Sequence, residues 1–139
     1  MIEYHFELDF ELIDEKYHSA WLQKIVESEG RSIDQLNYIF CTDEYLSDLN
    51  HKHLNHNTLT DILTFDYSEG ADIVGDIFIS VDRVRDNAME FKVDFENELL
   101  RVMSHGVLHI LGFKDKSEAD KLEMRAKEEE KIKMFHVEQ

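Results

Sequence analysis

Alternating apolar and polar residues open the chain. Ile2, Tyr4, Phe6, Leu8 and Phe10 are separated by single residues that are mostly polar, which is the period of a strand with one buried face. We therefore predict a first strand over residues 2–10. Three later stretches rich in β-branched and aromatic residues predict further strands: LNYIFCT (36–42), DILTFDY (61–67) and DIVGDIFISV (72–81).

Helical spacing governs the segments between and after these strands. Asp43 is a good residue for the N-cap of the second helix, and Ser117 with Asp120 forms a capping box before the last. The charges of that last helix predict a mostly solvated face. The predicted helices span residues 14–29, 45–54, 84–91, 97–111 and 117–135.

Four strands and about five helices, with the helices concentrated late in the chain, predict an α+β fold in which helices pack on a small mixed four-stranded sheet. The helix over residues 97–111 is apolar on most sides, so we expect it to be buried at the centre. The chain has 139 residues, a length typical of one domain. We predict a single domain over residues 1–139.

Charge and cysteine content narrow the classes of function. Lys and Arg number 15 against 31 Asp and Glu, a formal net charge of −16, which opposes broad nucleic-acid binding unless basic groups cluster locally. The lone Cys41 excludes an internal disulfide and favours a reducing compartment. The chain begins without a signal-peptide pattern and contains no long apolar run, so we expect a soluble cytoplasmic protein without a membrane partner.

Two histidines in HGVLHILGFKD (105–115) carry the candidate chemistry. His105 and His109 are four residues apart, so they project from one helix face and can share one Zn²⁺. Gly112 can end the helix in a left-handed conformation and turn Asp115 toward the metal. Three protein ligands leave a position for water, as in catalytic zinc sites. The competing interpretation is a core helix whose histidines have found polar partners.

Further residues of this region have more than one interpretation. Glu98 lies two turns before His105, where it either orients a ligand through a hydrogen bond or is a surface carboxylate. The motif is similar to the zinc-protease helix HExxHxxGxxH/D, but Gly106 stands where that motif has its glutamate base. Peptide hydrolysis is therefore disfavoured. Nickel, cobalt or ferrous iron would suit the same ligands.

The signature and its surroundings resemble the YbeY family, bacterial single-strand-specific metallo-endoribonucleases of 16S ribosomal RNA maturation and ribosome quality control. HGVLHILGFKD resembles the family's HGxLHLxGYDH, TDILTF (60–65) its TDVLSF and GDIFIS (75–80) its GDIxIx. The resemblance implies an α+β metal-binding domain that cuts single-stranded RNA rather than DNA, with the ribosome or ribosomal proteins as partners. It carries metal ligation to His105 and His109, and to Asp115 in place of a third histidine.

One departure from the family pattern concerns catalysis. Leu54 stands where the family has an arginine, and leucine cannot contact a phosphate. Lys52, Lys114 and Lys116 are the candidates to replace it. His51, His53 and His56 form a separate cluster, which we interpret as a solvated helix end rather than a second metal site.

The leading hypothesis is a zinc-dependent endoribonuclease with one Zn²⁺ per chain, bound by His105, His109 and Asp115. The metal would polarise a phosphoryl oxygen and activate water, and no protein general base is identified. Two alternatives stay open at this point. The missing arginine favours a non-catalytic ribosome-assembly factor with a structural metal, and the motif's likeness to zinc proteases leaves a small peptide or amide hydrolase.

Overall fold

A computed structural model describes residues 1–54 and 60–137, except for the side chains of residues 52–54. Four strands form one mixed sheet, and helices interleave with them early and follow one another late, as predicted. In chain order the elements are β1 (Ile2–Phe6), α1 (Glu15–Ser28), β2 (Ser32–Cys41), α2 (Asp43–Leu54), β3 (Ile62–Asp66), β4 (Asp72–Ser80), α3 (Val81–Phe91), α4 (Phe95–Ile110) and α5 (Glu118–His136).

The sheet has the strand order β1-β2-β4-β3. Strands β1 and β4 run parallel to β2, while β3 runs antiparallel to β4 and forms one edge. The two strands predicted around the short SEGA loop are therefore a hairpin. Gly75 on β4 supplies the close approach that a glycine in a strand suggests, because an added Cβ would lie 2.8 Å from the carbonyl oxygen of Phe65.

Several predicted boundaries were wrong, and neighbouring elements explain the differences. β1 ends at Phe6 rather than at residue 10, since its partner β2 ends at Cys41. The later apolar residues of the alternation still pack against the core. Strand β2 begins at Ser32, four residues before the prediction, because this polar segment pairs with the start of β4.

The helix starts differ for a local reason, which is capping by hydroxyl groups. Thr42, not Asp43, accepts the Tyr45 N–H at the start of α2. The Asp43 carboxylate instead accepts a hydrogen bond from the Ser80 hydroxyl at 2.6 Å. Ser80 itself caps α3 by accepting the Arg83 N–H, so this helix begins at Val81 and β4 stops one residue earlier than predicted.

Helix α4 lies at the centre of the molecule, as predicted, and packs against β3, β4, α1, α3 and α5. Two hydrogen bonds anchor its surroundings: the buried Tyr38 hydroxyl donates to the Met103 carbonyl, and the Trp21 indole donates to the Lys131 carbonyl of α5. Among the described residues, no helix has both the length and the apolar character needed to cross a membrane.

Candidate metal centre

The last two turns of α4 present both histidines of the motif on one face. The Nε2 atoms of His105 and His109 lie 2.9 Å apart, and both rings are partly buried. The other faces of the helix are apolar and packed in the core, so the helix cannot rotate this pair away. Two imidazole nitrogens this close need either a shared proton or a shared metal ion between them.

The turn after α4 brings in the third side chain. Gly112 has φ +108, a left-handed conformation that glycine adopts without strain. The Gly112 and Phe113 N–H groups donate to the carbonyls of His109 and Leu108, which is the Schellman arrangement. The chain reverses, and an Asp115 carboxylate oxygen lies 3.3 Å from the Nε2 atom of each histidine.

The hydrogen bonds at the far side of each ring define which nitrogen carries a proton. His109 Nδ1 lies 3.0 Å from the Phe113 carbonyl oxygen, and His105 Nδ1 lies 2.5 Å from a Glu128 carboxylate oxygen. Both partners are acceptors, so a neutral imidazole at either position donates from Nδ1 and keeps a lone pair on Nε2. Three acceptors, two nitrogens and the Asp115 oxygen, thus face one another with no donor between them.

A metal ion fits this arrangement. The triangle of ligand atoms has sides of 2.9, 3.3 and 3.3 Å. Tetrahedral zinc with ligands at 2.0–2.2 Å separates neighbouring ligand atoms by about 3.3–3.6 Å. The two 3.3 Å sides match this separation, and the 2.9 Å side between the histidines would have to widen by about 0.4 Å. Among the described side chains, these three form the one group of metal-ligating residues whose ligand atoms all lie within 4.8 Å of one another.

Glu128, which sequence analysis missed, belongs to a buried charge network behind His105. Its second carboxylate oxygen lies 3.4 Å from Arg101 Nη1. Arg101 also donates to both carboxylate oxygens of Glu98 and lies 3.6 Å from an Asp61 oxygen. Burial opposes the charge of Arg101, but its hydrogen bonds and ion pairs with these acids outweigh burial and raise the pKa of the guanidinium.

Both predictions for Glu98 need correction. Glu98 is 2% exposed, so it is not a surface carboxylate, and the hydrogen bonds that its carboxylate accepts come from Arg101 rather than from a histidine. The reason is geometric: Arg101 lies one turn from both Glu98 and His105 and occupies the space between them. Glu128 contacts His105 instead, and nothing in the run Glu128-Glu129-Glu130 distinguishes it in sequence.

An open cleft of about 850 Å³ leads to the three ligand side chains. The edge strand β3 and the residues before it form its opposite wall, and Asp61 and Arg101 line it. Burial raises the pKa of Asp61, although the nearby Arg101 charge opposes the shift. The segment TDILTF, singled out by its resemblance to a family motif, therefore faces the histidines across the cleft.

The predicted phosphate contacts have different outcomes. Lys116 lines the cleft, whereas Lys114 is exposed and is not among the lining residues. The side chains of Lys52, His53 and Leu54 lie outside the described part of the chain, as does His56 of the proposed histidine cluster. His51 is described and exposed.

Gly106 has a packing role. A Cβ at this position would lie 2.9 Å from side-chain carbons of both Ile62 and Ile77. The glycine lets α4 approach β3 and β4 closely, which holds the histidines at the cleft wall. A glutamate base of the protease type has no room here, so this contact argues against the peptide-hydrolase alternative.

Comparison with known proteins decides the family. The family model for Endoribonuclease YbeY matches residues 3–136. The chain belongs to the YbeY endoribonuclease family. This membership confirms the resemblance found in the sequence and the predicted enzyme class, a nuclease that acts on RNA phosphodiester bonds. It also contradicts the alternative of a protein without catalytic activity.

Relatives and a solved structure agree with this YbeY membership. Proteins named Endoribonuclease YbeY from Flavobacterium psychrophilum and Flavobacterium johnsoniae are each 55% identical to this chain over 139 residues. Each alignment covers the whole of this chain, and it covers 99% of the first relative and 100% of the second. A solution structure of a Thermotoga maritima protein has a TM-score of 0.68 at 28% identity and covers 97% of this chain and 89% of its own. The α+β fold is thereby confirmed.

Proposed function

We propose that this chain is a zinc-dependent endoribonuclease of single-stranded RNA that acts in 16S ribosomal RNA maturation and contacts the ribosome in the cytoplasm. The whole of residues 1–139 would form one catalytic domain, with His105, His109 and Asp115 as the metal ligands. The observation that carries the proposal is the convergence of three acceptor atoms, with sides of 2.9, 3.3 and 3.3 Å, at the end of an open cleft.

Zinc bound by these ligands would supply Lewis-acid polarisation of a phosphoryl oxygen and a water of lowered pKa. The protein's own residues would prepare that site. Glu128 and the Phe113 carbonyl keep both rings in the tautomer with a free Nε2 lone pair, which is the usual work of groups behind metal-bound histidines. Asp115 contributes a negative charge, which favours binding of a divalent cation by the three ligand atoms.

Arg101 is our candidate for the role that the family pattern gives to the arginine replaced by Leu54. It lines the cleft beside the ligands, its side chain is 18% exposed, and Glu98 holds it in place. A guanidinium held in place at the cleft wall can stabilise charge that develops on a phosphate. Lys116 would add a mobile cation at the same cleft.

Asp61 is our candidate for proton transfer. The sequence alone identified no general base for this role. Its carboxyl group lines the cleft and lies 3.6 Å from Arg101. Burial raises its pKa, and a carboxyl group with a raised pKa is better suited to accept and return protons near neutral pH.

The test is cleavage of a labelled single-stranded RNA by metal-loaded wild-type protein, beside His109→Ala and Asp115→Ala. We expect internal cuts by the wild type and a loss of at least about a hundredfold in each variant, the range for removing a group that organises the transition state. Metal content is measured on the same samples. Equal cleavage by wild type and His109→Ala would mean a contaminating nuclease and would refute the proposed site.

A further inference from the structure

A second groove adjoins the cleft at the ligand side chains His105 and Asp115. It has a volume of about 380 Å³ and runs along the first half of α5. The groove and the cleft share Arg101, His105 and Asp115 as lining residues, so they adjoin at these side chains as two arms of one binding surface. We call this second arm the α5 groove; its other lining residues are Glu118, Lys121, Leu122, Met124, Arg125 and Glu128.

Two exposed cations on successive turns of α5 line this groove. Lys121 forms no ion pair within the described part of the chain. The nearest carboxylate to Arg125 is that of Glu128, at 4.0 Å, and Glu128 is already engaged by His105 and Arg101. Like charges four residues apart on a helix repel each other. An anion between them would relieve that repulsion, so the pair favours a negatively charged occupant.

The charge balance around the α5 groove differs from that of the chain as a whole. Residues 114–133 contain seven basic and seven acidic residues, a balance of zero, whereas the whole chain carries −16. This segment therefore adds no net negative charge that would repel a polyanion. The α5 groove also offers Leu122, an exposed apolar side chain, against which a base or sugar can pack.

We propose that the RNA strand crosses the ligand triangle from the cleft into the α5 groove, where Lys121 and Arg125 bind backbone phosphates on one side of the cut. This inference rests on the proposed ribonuclease function and adds a second substrate-binding arm to it. Two grooves that adjoin at the ligand side chains can hold a strand that continues past them in both directions. That property suits cleavage within a chain rather than from its end.

The experiment compares two charge-matched double variants with the wild-type protein, all metal-loaded. The test variant is Lys121→Ala with Arg125→Ala. The control is Lys24→Ala with Lys133→Ala, two exposed lysines on α1 and α5 that line neither arm. Binding of a fluorescent single-stranded 2′-O-methyl RNA, shown by gel to stay intact, is measured by anisotropy over a range of salt concentrations.

We expect the Kd of the test variant to rise about tenfold above that of the control at low salt, with the metal content unchanged. The slope of log affinity against log salt should be shallower by about 1.4, since each phosphate contact to a single strand contributes about 0.7. Equal affinities and slopes in the two variants, or no RNA binding by the wild type, would overturn the α5 groove assignment.

The same proteins separate this inference from the proposed function. Wild-type cleavage combined with equal affinity of the two double variants would refute the groove and leave the ribonuclease standing. Conversely, a weaker affinity of the test variant in a protein that cleaves no RNA would support the groove as a binding arm and refute the enzymatic proposal.

Discussion

Helices α4 and α5 both build the candidate metal centre, but they do so in opposite ways. α4 is apolar and central, and its polar residues His105 and His109 are rare enough to stand out. α5 is covered with charges, among which Glu128 and Lys131 are 2% and 1% exposed while their neighbours face solvent. On α5 a glutamate is therefore buried at position 128 and exposed at position 129.

The two helices differ in how their buried polar side chains are paired. On α4 the buried polar side chains Glu98 and Ser104 both find their hydrogen-bond partner in Arg101 of the same helix, as burial of polar groups requires. On α5 the two buried charges face different neighbours: Glu128 faces α4 and the metal centre, and Lys131 faces α1. α5 therefore contacts both the candidate metal centre and α1. Substitutions on α4 and α5 can test this difference between the two helices.

The largest expected effect is on α4. His105→Ala removes one of three ligand atoms, so we expect metal content to fall from about one ion per chain to near zero, since two ligands do not hold zinc. The measurement is elemental analysis of untagged protein purified without chelator. Arg85→Ala on α3 is the control. Retention of the metal by His105→Ala would place the binding site elsewhere.

Glu128→Gln tests the contribution of α5 to the same site. The amide keeps the size of the side chain but removes the charge that holds the His105 ring, so we expect metal affinity to fall about 10- to 100-fold. Competition with a chromogenic chelator measures it. Glu129→Gln, the exposed neighbour, changes the net charge equally and should leave affinity unaltered. If the two variants behaved alike, the buried contact would carry no function.

Lys131→Met tests the other buried charge of α5. The Lys131 ammonium group lies 2.8 Å from Glu29 and 2.9 Å from the Ser28 hydroxyl, and its loss leaves Glu29 with Lys127 alone. We expect the free energy of unfolding to fall by about 1–3 kcal/mol, measured by urea denaturation. Lys133→Met, which alters an exposed lysine, should change it by less than about 0.5 kcal/mol.

The pH dependence of that loss has a definite sign. Burial acts to raise the pKa of Glu29, but hydrogen bonds from Lys131 and Lys127 outweigh it and lower the pKa below the ordinary 4.5. A lowered pKa stabilises the fold above the unfolded value, and the benefit disappears as pH falls through the folded value. The difference between wild type and Lys131→Met should therefore shrink in acid; a constant difference would mean that packing alone is responsible.

The smallest effect concerns Asp61, the carboxylate that faces the α4–α5 network from the cleft. Burial raises its pKa above the ordinary 3.8, so ionising it in the folded protein is unfavourable, and the cost grows as pH rises through the folded value. Asp61→Asn avoids that cost. The stability of Asp61→Asn relative to wild type should thus increase in urea titrations as the pH rises above about 4; a decrease would mean that Arg101 dominates.

Sequence periodicity was sufficient for most of the architecture. Strand alternation, runs of β-branched and aromatic residues, and helical spacing identified the nine elements of the described residues, because most of these elements bury apolar residues at regular intervals. The element ends were less accurate, as at residues 7–10 and at Ser32, because a strand ends where its partner strand ends. That partner is distant in the chain, so local pattern carries no information about it.

The sequence by itself determined the three candidate ligands, since His105, His109 and Asp115 lie within eleven residues and one helix turn with one glycine suffices to bring them together. Only the tertiary structure decided which acids serve that site. Glu98 points to Arg101 and Glu128 crosses from α5 to His105, because the angle at which two helices pack selects one carboxylate among many. The path past Lys121 and Arg125 likewise exists only once α5 lies beside the end of α4.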